Sequence, residues 1–251
     1  MFARLSRLVI GLMLYGFTMA LMVQAGLGLD PWDVFHQGLT HLVPLTFGQV
    51  VIAVGALVLL LWIPLRQRPG IGTVLNVVLI GLAADAGIAL VPAPDALWAR
   101  IALLLAAIIG NGLAGALYIG ARLGPGPRDG LWVAIVDRTD LSVRMVRTGI
   151  EVSVLVAGFL LGGTVGIGTV LYALAIGPLV QLFLELLPTR SSARVERART
   201  PKAHVRSGVF GRPDPFDHRQ PARLRSRSAR ATAGRTRGWW EAGRRGAMAK
   251  P

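Results

Sequence analysis

Two short stretches hold the residues best suited to chemistry. Asp30-Pro31-Trp32-Asp33 and Gly126-Pro127-Arg128-Asp129 place acids, a guanidinium and an indole inside otherwise apolar sequence. Each reads as a helix start. Asp30 can cap, proline suits the first helical position, and Asp33 or Asp129 falls in the first turn, near the positive end of the dipole. A helix start facing a cavity offers free backbone N–H groups to an anionic or polar ligand. The chemistry implied is binding: Arg128 for an anionic or polar group, Trp32 beside it, and Asp33 and Asp129 as caps or as ion or proton partners. The competing reading is that Asp-Pro-x-Asp merely caps a helix. Capping is the stronger reading for Asp30, and binding for Arg128 and Asp129.

Further polar groups interrupt the apolar segments. Asp85 and Glu151 are costly at bilayer depth and mark either a solute path or a structural contact. Arg147 lies four residues before Glu151, so an ion pair along one helix would ease its burial. Gln24, Asn76, Asn111 and Tyr172 complete the polar set, and the amides among them are read as interhelical hydrogen-bonding groups. The chain has no cysteine, which excludes disulfides and thiolate chemistry. His36 and His41 stand five apart without a His-Glu-x-x-His pattern and are read as chance or interfacial placements. Neither an enzyme, a metal site nor a cofactor is expected.

The elements that must position these residues come from an internal duplication. Leu27-Gly28-Leu29-Asp30-Pro31-Trp32-Asp33 is echoed by Leu123-Gly124-Pro125-Gly126-Pro127-Arg128-Asp129, an offset of 96 residues. The same offset lays Gly70-Ile71-Gly72-Thr73-Val74-Leu75 on Gly166-Ile167-Gly168-Thr169-Val170-Leu171, Arg4 on Arg100, and Gly16 on Gly112. Trp32 opposite Arg128 breaks the symmetry, as does Gln181 opposite Asp85. A repeat of this length fixes the frame for everything else.

Six apolar stretches are long enough to read as spans, at about 5–27, 46–64, 71–92, 99–121, 146–164 and 168–187. Three per half force the second copy to enter the bilayer upside down, the inverted-repeat plan of many secondary transporters. Each half adds one short interfacial or re-entrant helix, the first over about 31–42. Thr46 with Gln49 reads as a capping box opening the next span, with Ser142 in the equivalent place. Pro178 should kink the last span. Gly-Ile-Gly-Thr lacks the Gly-Lys-Ser/Thr of a phosphate loop and should start spans three and six.

The expected fold is an all-α polytopic membrane protein in three parts. Residues 1–92 form the first three-helix repeat, 93–189 the second, and 190–251 a disordered Arg-rich cytoplasmic tail. Arg4 and Arg7, Arg66 and Arg68, the Arg122–Arg147 region and the tail fall on one side, so both termini should be cytoplasmic. The first span aligns with an internal helix and should not be a cleaved leader.

The net charge of +14 belongs to the tail. Of 27 Lys and Arg, 17 follow Pro188 beside four acids, whereas ten Arg and nine acids precede it. A basic tail at the inner membrane face is read as solvated and drawn to anionic lipid; nucleic acid is not the expected partner.

The six-span plan, Leu-Gly-x-x-Pro-Trp-Asp after span one and Gly126-Pro127-Arg128-Asp129-Gly130 after span four resemble the YczE/YitT-like group of bacterial integral membrane proteins, on the YczE side. That resemblance covers about residues 5–188. It implies a bacterial inner-membrane location and the architecture above, and supplies no substrate. The leading expectation is a small-solute transporter or permease, with its site between the two Pro-x-Asp helix starts. The alternative is a non-transporting accessory or substrate-binding subunit working with a partner membrane protein. Glycine-rich span faces permit a homodimer without requiring one.

Overall fold

The computed structural model describes residues 1–187, and everything below concerns those residues. They form eight helices and no strand: α1 Phe2–Ala25, α2 Pro31–Thr40, α3 Phe47–Leu61, α4 Ile71–Leu90, α5 Leu97–Ala121, α6 Pro127–Val136, α7 Val143–Leu160 and α8 Ile167–Leu186. The expectations for residues 190–251 lie outside the described residues.

The helix starts form where the local chemistry demands. Asp30 caps α2, its carboxylate accepting from the backbone N–H groups of Trp32 and Asp33, with Pro31 in the first helical position. Thr46 and Gln49 close a reciprocal capping box on α3, and Ser142 caps α7 through Met145 N–H. Gly-Ile-Gly-Thr opens α4 and α8, where Thr73 and Thr169 accept from the N–H groups of Gly70 and Gly166. Pro178 stands inside α8.

Four helices, α1, α4, α5 and α8, are long and apolar enough to cross a membrane. The other two apolar stretches fall short for different reasons. α3 has 15 residues, about 22 Å at 1.5 Å per residue, against a hydrocarbon core of about 30 Å. α7 carries Arg144, Arg147 and Glu151. The count of six spans therefore does not follow from helix length and composition, whereas a helical polytopic membrane protein does.

α1 and α5 form the central antiparallel pair, and their contact is reciprocal. Arg4 donates from Nε to Ala121 O (2.9 Å) and from Nη2 to Arg122 O (2.7 Å) at the end of α5. Arg100 does the same at the end of α1, to Ala25 O and Gly26 O, both at 2.7 Å. Each guanidinium thus satisfies carbonyls that the last helical turn leaves without partners. α4 packs on α1, and α8 on α5. Of the short helices, α2 crosses over to pack chiefly on α7, while α6 packs on both α3 and α7. Leu8, Leu12, Met19, Phe47, Val51 and Ile80 form one buried cluster, and Met22, Leu29, Val34, Leu104 and Ile108 a second.

The most strongly repeated motifs are partners of each other. Gly72 N–H donates to Leu123 O at 3.0 Å, and Gly168 N–H to Leu27 O at 2.9 Å. Gly28 and Gly124 follow those carbonyls with φ of +116° and +132°, and each packs against the threonine of the opposite Gly-Ile-Gly-Thr. Only glycine takes that backbone conformation cheaply. The duplication is thus a set of contacts in which each half supplies what the other receives.

Candidate functional site

The starts of both short helices line a cavity of about 460 Å³. All eight helices contribute to its wall, largely in counterpart pairs: Val54 with Ile150, Asn76 with Tyr172, Ile80 with Ile176, Trp32 with Arg128. The cavity therefore lies where the two halves meet.

α2 holds the acidic side. Asp30 is buried and engaged as a cap. Asp33, one turn on, is fully buried, with Oδ1 3.1 Å from His36 Nδ1 and 3.9 Å from an Arg128 nitrogen. Its second oxygen, Oδ2, has no hydrogen-bond partner. Arg128 reaches across from the first turn of α6 and lays its guanidinium 4.8 Å from the Trp32 ring centroid. A planar guanidinium on an indole face keeps its charge and most of its donors free for a ligand. The symmetry break noted in the sequence is this stacked pair.

Asp129 also lines the cavity, in the first turn of α6. Here the cap position is Gly126, which has no side chain to offer the N–H groups above it. The start of α6 is thus more open to a polar ligand than that of α2. The α6 start is otherwise anchored by the Trp62 indole N–H, which donates to Pro127 O at 3.1 Å. Glu151 and Arg147 face the cavity from α7 as an ion pair at 2.9 Å.

Asp85 stands apart from this group. Its carboxylate accepts from Thr46 Oγ1 and from Gly48 N–H (2.7 Å), so it ties α4 to the start of α3. Of the seven acidic, basic and aromatic residues singled out by sequence, Asp30, Trp32, Arg128, Asp129 and Glu151 border the cavity. Asp33 lies buried behind them, and Asp85 belongs to the α3–α4 seam.

Three side chains outside the expected site also take part, and His36, read from sequence as a chance or interfacial placement, is buried. His36 lines the cavity and contacts Asp33. Its position three residues after Asp33 places both on one helix face, a signal present in the sequence. Tyr15 and Tyr118 contribute hydroxyl-bearing rings to the same wall. Two of the three amides bond between helices, whereas Asn76 lines the cavity. Asn111 donates to Thr18 at 3.1 Å and accepts from Tyr172 at 3.0 Å, while Gln24 donates to Ile88 O and Val91 O.

Long apolar helices packed around a cavity with polar residues in its wall define the class: a polytopic integral membrane protein. Residues 2–185 match a family of unknown function, DUF6198, and the chain belongs to that family. An uncharacterised protein of Haemophilus influenzae is 41% identical over 183 residues, covering 73% of this chain and 84% of that one. The membrane protein YczE of Bacillus subtilis, also uncharacterised, is 35% identical over 69% of this chain and 82% of its own length. YyaS of the same organism is 26% identical, over 71% and 90% respectively. The family is therefore the YczE-like one that the Pro-Trp-Asp and Gly-Pro-Arg-Asp-Gly stretches resemble. No solved structure matches the chain.

Proposed function

We propose that the protein is a small-solute transporter or permease of the bacterial inner membrane, built as six spans in a 3+3 inverted repeat. The observation that carries this reading is the polar cavity between the α2 and α6 starts, walled by counterpart residues of both halves. Inverted-repeat carriers place substrate where the repeats meet, against helix starts. The reciprocal Arg4 and Arg100 contacts support an inverted relation, since they require α1 and α5 to run oppositely. The basic residues at the starts of α1 and α7, just before α4 and at the end of α5 support a topology with both termini in the cytoplasm. α3 and α7 cross the bilayer with help from their neighbours, α7 keeping Arg147 and Glu151 on the cavity and paired.

In this reading Arg128, held over the Trp32 ring, binds an anionic or polar group of the solute, and the start of α6 adds backbone N–H groups. Asp129 and the Asp33–His36 pair supply the ion or proton partner. The protein is not an enzyme and needs no cofactor.

The test is thermal stability of the purified protein across a metabolite panel, beside Arg128→Ala and Asp129→Asn. A ligand bound to the native state raises the melting temperature by mass action. One solute class should stabilise the wild type and neither variant. If both variants fold and no solute acts on any form, the binding role falls and the accessory-subunit reading replaces it.

A further inference from the structure

The two halves repeat in sequence, yet they do not pack equally, and one pair of counterpart seams differs outright. α3 packs along α4, whereas their counterparts α7 and α8 hardly touch.

The cause is legible in a few residues. On the α3–α4 seam, Gly48 and Gly81 meet backbone to backbone, so closely that a Cβ on either would collide with the other's carbonyl. Asp85 then ties the seam, accepting from Thr46 and from Gly48 N–H. At the same offset of 96, Gly48 becomes Arg144, Asp85 becomes Gln181, and Gly81 stays glycine as Gly177. Arg144 and Gln181 are exposed. A Cβ on Gly177, or on Gly149 of α7, would meet nothing within 4 Å. The cavity follows this difference. It runs out past Gly177, Val180 and Gln181 but is not bordered by their counterparts Gly81, Ala84 and Asp85.

We propose that these seams are a pair of alternating gates, the structure holding the α3–α4 gate shut with Asp85 as its latch and the α7–α8 gate open. The proposal rests on the transport reading above. With the termini cytoplasmic, the latched seam faces outward and the open one faces the cytoplasm. In the opposite state α3 swings from α4 as α7 closes on α8, where Gly177 already provides the flat surface. Arg144 and Gln181 keep that closure weak enough to reopen. Asp85 is therefore a positioning residue of the carrier cycle and does not touch the solute.

The absence of cysteine gives a clean background for spin labels. One pair at Ala53 and Ala86 reports the α3–α4 seam, and its counterpart at Gly149 and Leu182 reports the α7–α8 seam; all four positions are exposed. Distances are read by pulsed electron paramagnetic resonance in lipid nanodiscs, with no solute needed. The otherwise unaltered chain should show a short Ala53–Ala86 distance and a longer Gly149–Leu182 distance; equal distances would overturn the proposal. Asp85→Ala should lengthen the first and shorten the second together. Arg144→Gly with Gln181→Asp, which installs the latch on the other seam, should produce the same exchange by gain of closure, and it decides the matter if Asp85→Ala does not fold. Distances that stay fixed in the folded variants, or that move in the same direction, contradict it. A chain whose distances exchange but which carries no solute keeps the gates and loses the transport reading. One that carries solute with both seams fixed loses the gates alone.

Discussion

Arg4 and Arg100 make the same two hydrogen bonds in opposite directions, each guanidinium closing the last carbonyls of the helix that bears the other. The relation ties the halves at both ends of the α1–α5 pair. In a bilayer it also substitutes for the water that would otherwise satisfy those carbonyls.

Arg4→Ala and Arg100→Ala should destabilise the protein by similar amounts, about 1–2 kcal/mol each, given hydrogen bonds to a charged donor that are partly solvent-screened. Lysine at either position should recover less than half, because one ammonium cannot span two carbonyls as a guanidinium fork does. Thermal denaturation in detergent reads this directly. A loss confined to one of the two would contradict the reciprocal arrangement.

Gly28→Ala and Gly124→Ala should both be severe. Each glycine has a positive φ and packs against the opposite threonine. The backbone alone accounts for about 1–3 kcal/mol, with the steric cost added. Gly149→Ala, where the added methyl has open space, should be neutral or slightly stabilising within a helix. Melting temperatures of the three variants, ranked in any other order, would dispute the packing.

Trp62 and Gly130 are a knob and its socket: a methyl on Gly130 would enter the indole ring. Gly130→Ala should cost about 1–3 kcal/mol as overpacking. In a Trp62→Leu background the same change should cost about 1 kcal/mol less, as residues in direct contact are coupled. A double-mutant cycle checks this, and additive effects would speak against the contact. The counterpart positions exchange the roles, Gly158 receiving the Val34–Phe35 backbone of α2.

Arg128→Lys should fold but fail to restore ligand-induced stabilisation, because an ammonium over the Trp32 ring has no planar fork to present to a ligand as the guanidinium 4.8 Å from the centroid does. Trp32→Phe should weaken the effect less than Trp32→Ala, following the ring face that remains. Full ligand response in Arg128→Lys would reduce Arg128 to a point charge.

Much of the fold was legible because its punctuation is local. Asp30-Pro31, Thr46 with Gln49, Ser142 and the two Gly-Ile-Gly-Thr runs each satisfy backbone groups within three residues, so their helices start where sequence places them. The ion pair of Arg147 and Glu151 was legible for the same reason. Asp85 was not, because its partners Thr46 and Gly48 are more than 35 residues away and belong to another helix. His36 was set aside because nothing local shows that the helix face it shares with Asp33 is buried and turned toward Arg128 of another helix. The unequal seams were written in Gly48 against Arg144, but that difference acquires meaning only once Gly81 is known to lie opposite Gly48.

The central claim is that solute binds between the α2 and α6 starts and is carried through. Its most direct test is uptake, into proteoliposomes, of whichever panel solute raises the melting temperature. Uptake by wild-type protein that falls at least tenfold in Arg128→Ala and in Asp129→Asn, with both variants folded and inserted, is the predicted result. Uptake at the wild-type rate by both variants, or none by a wild-type protein that binds the solute, would contradict it.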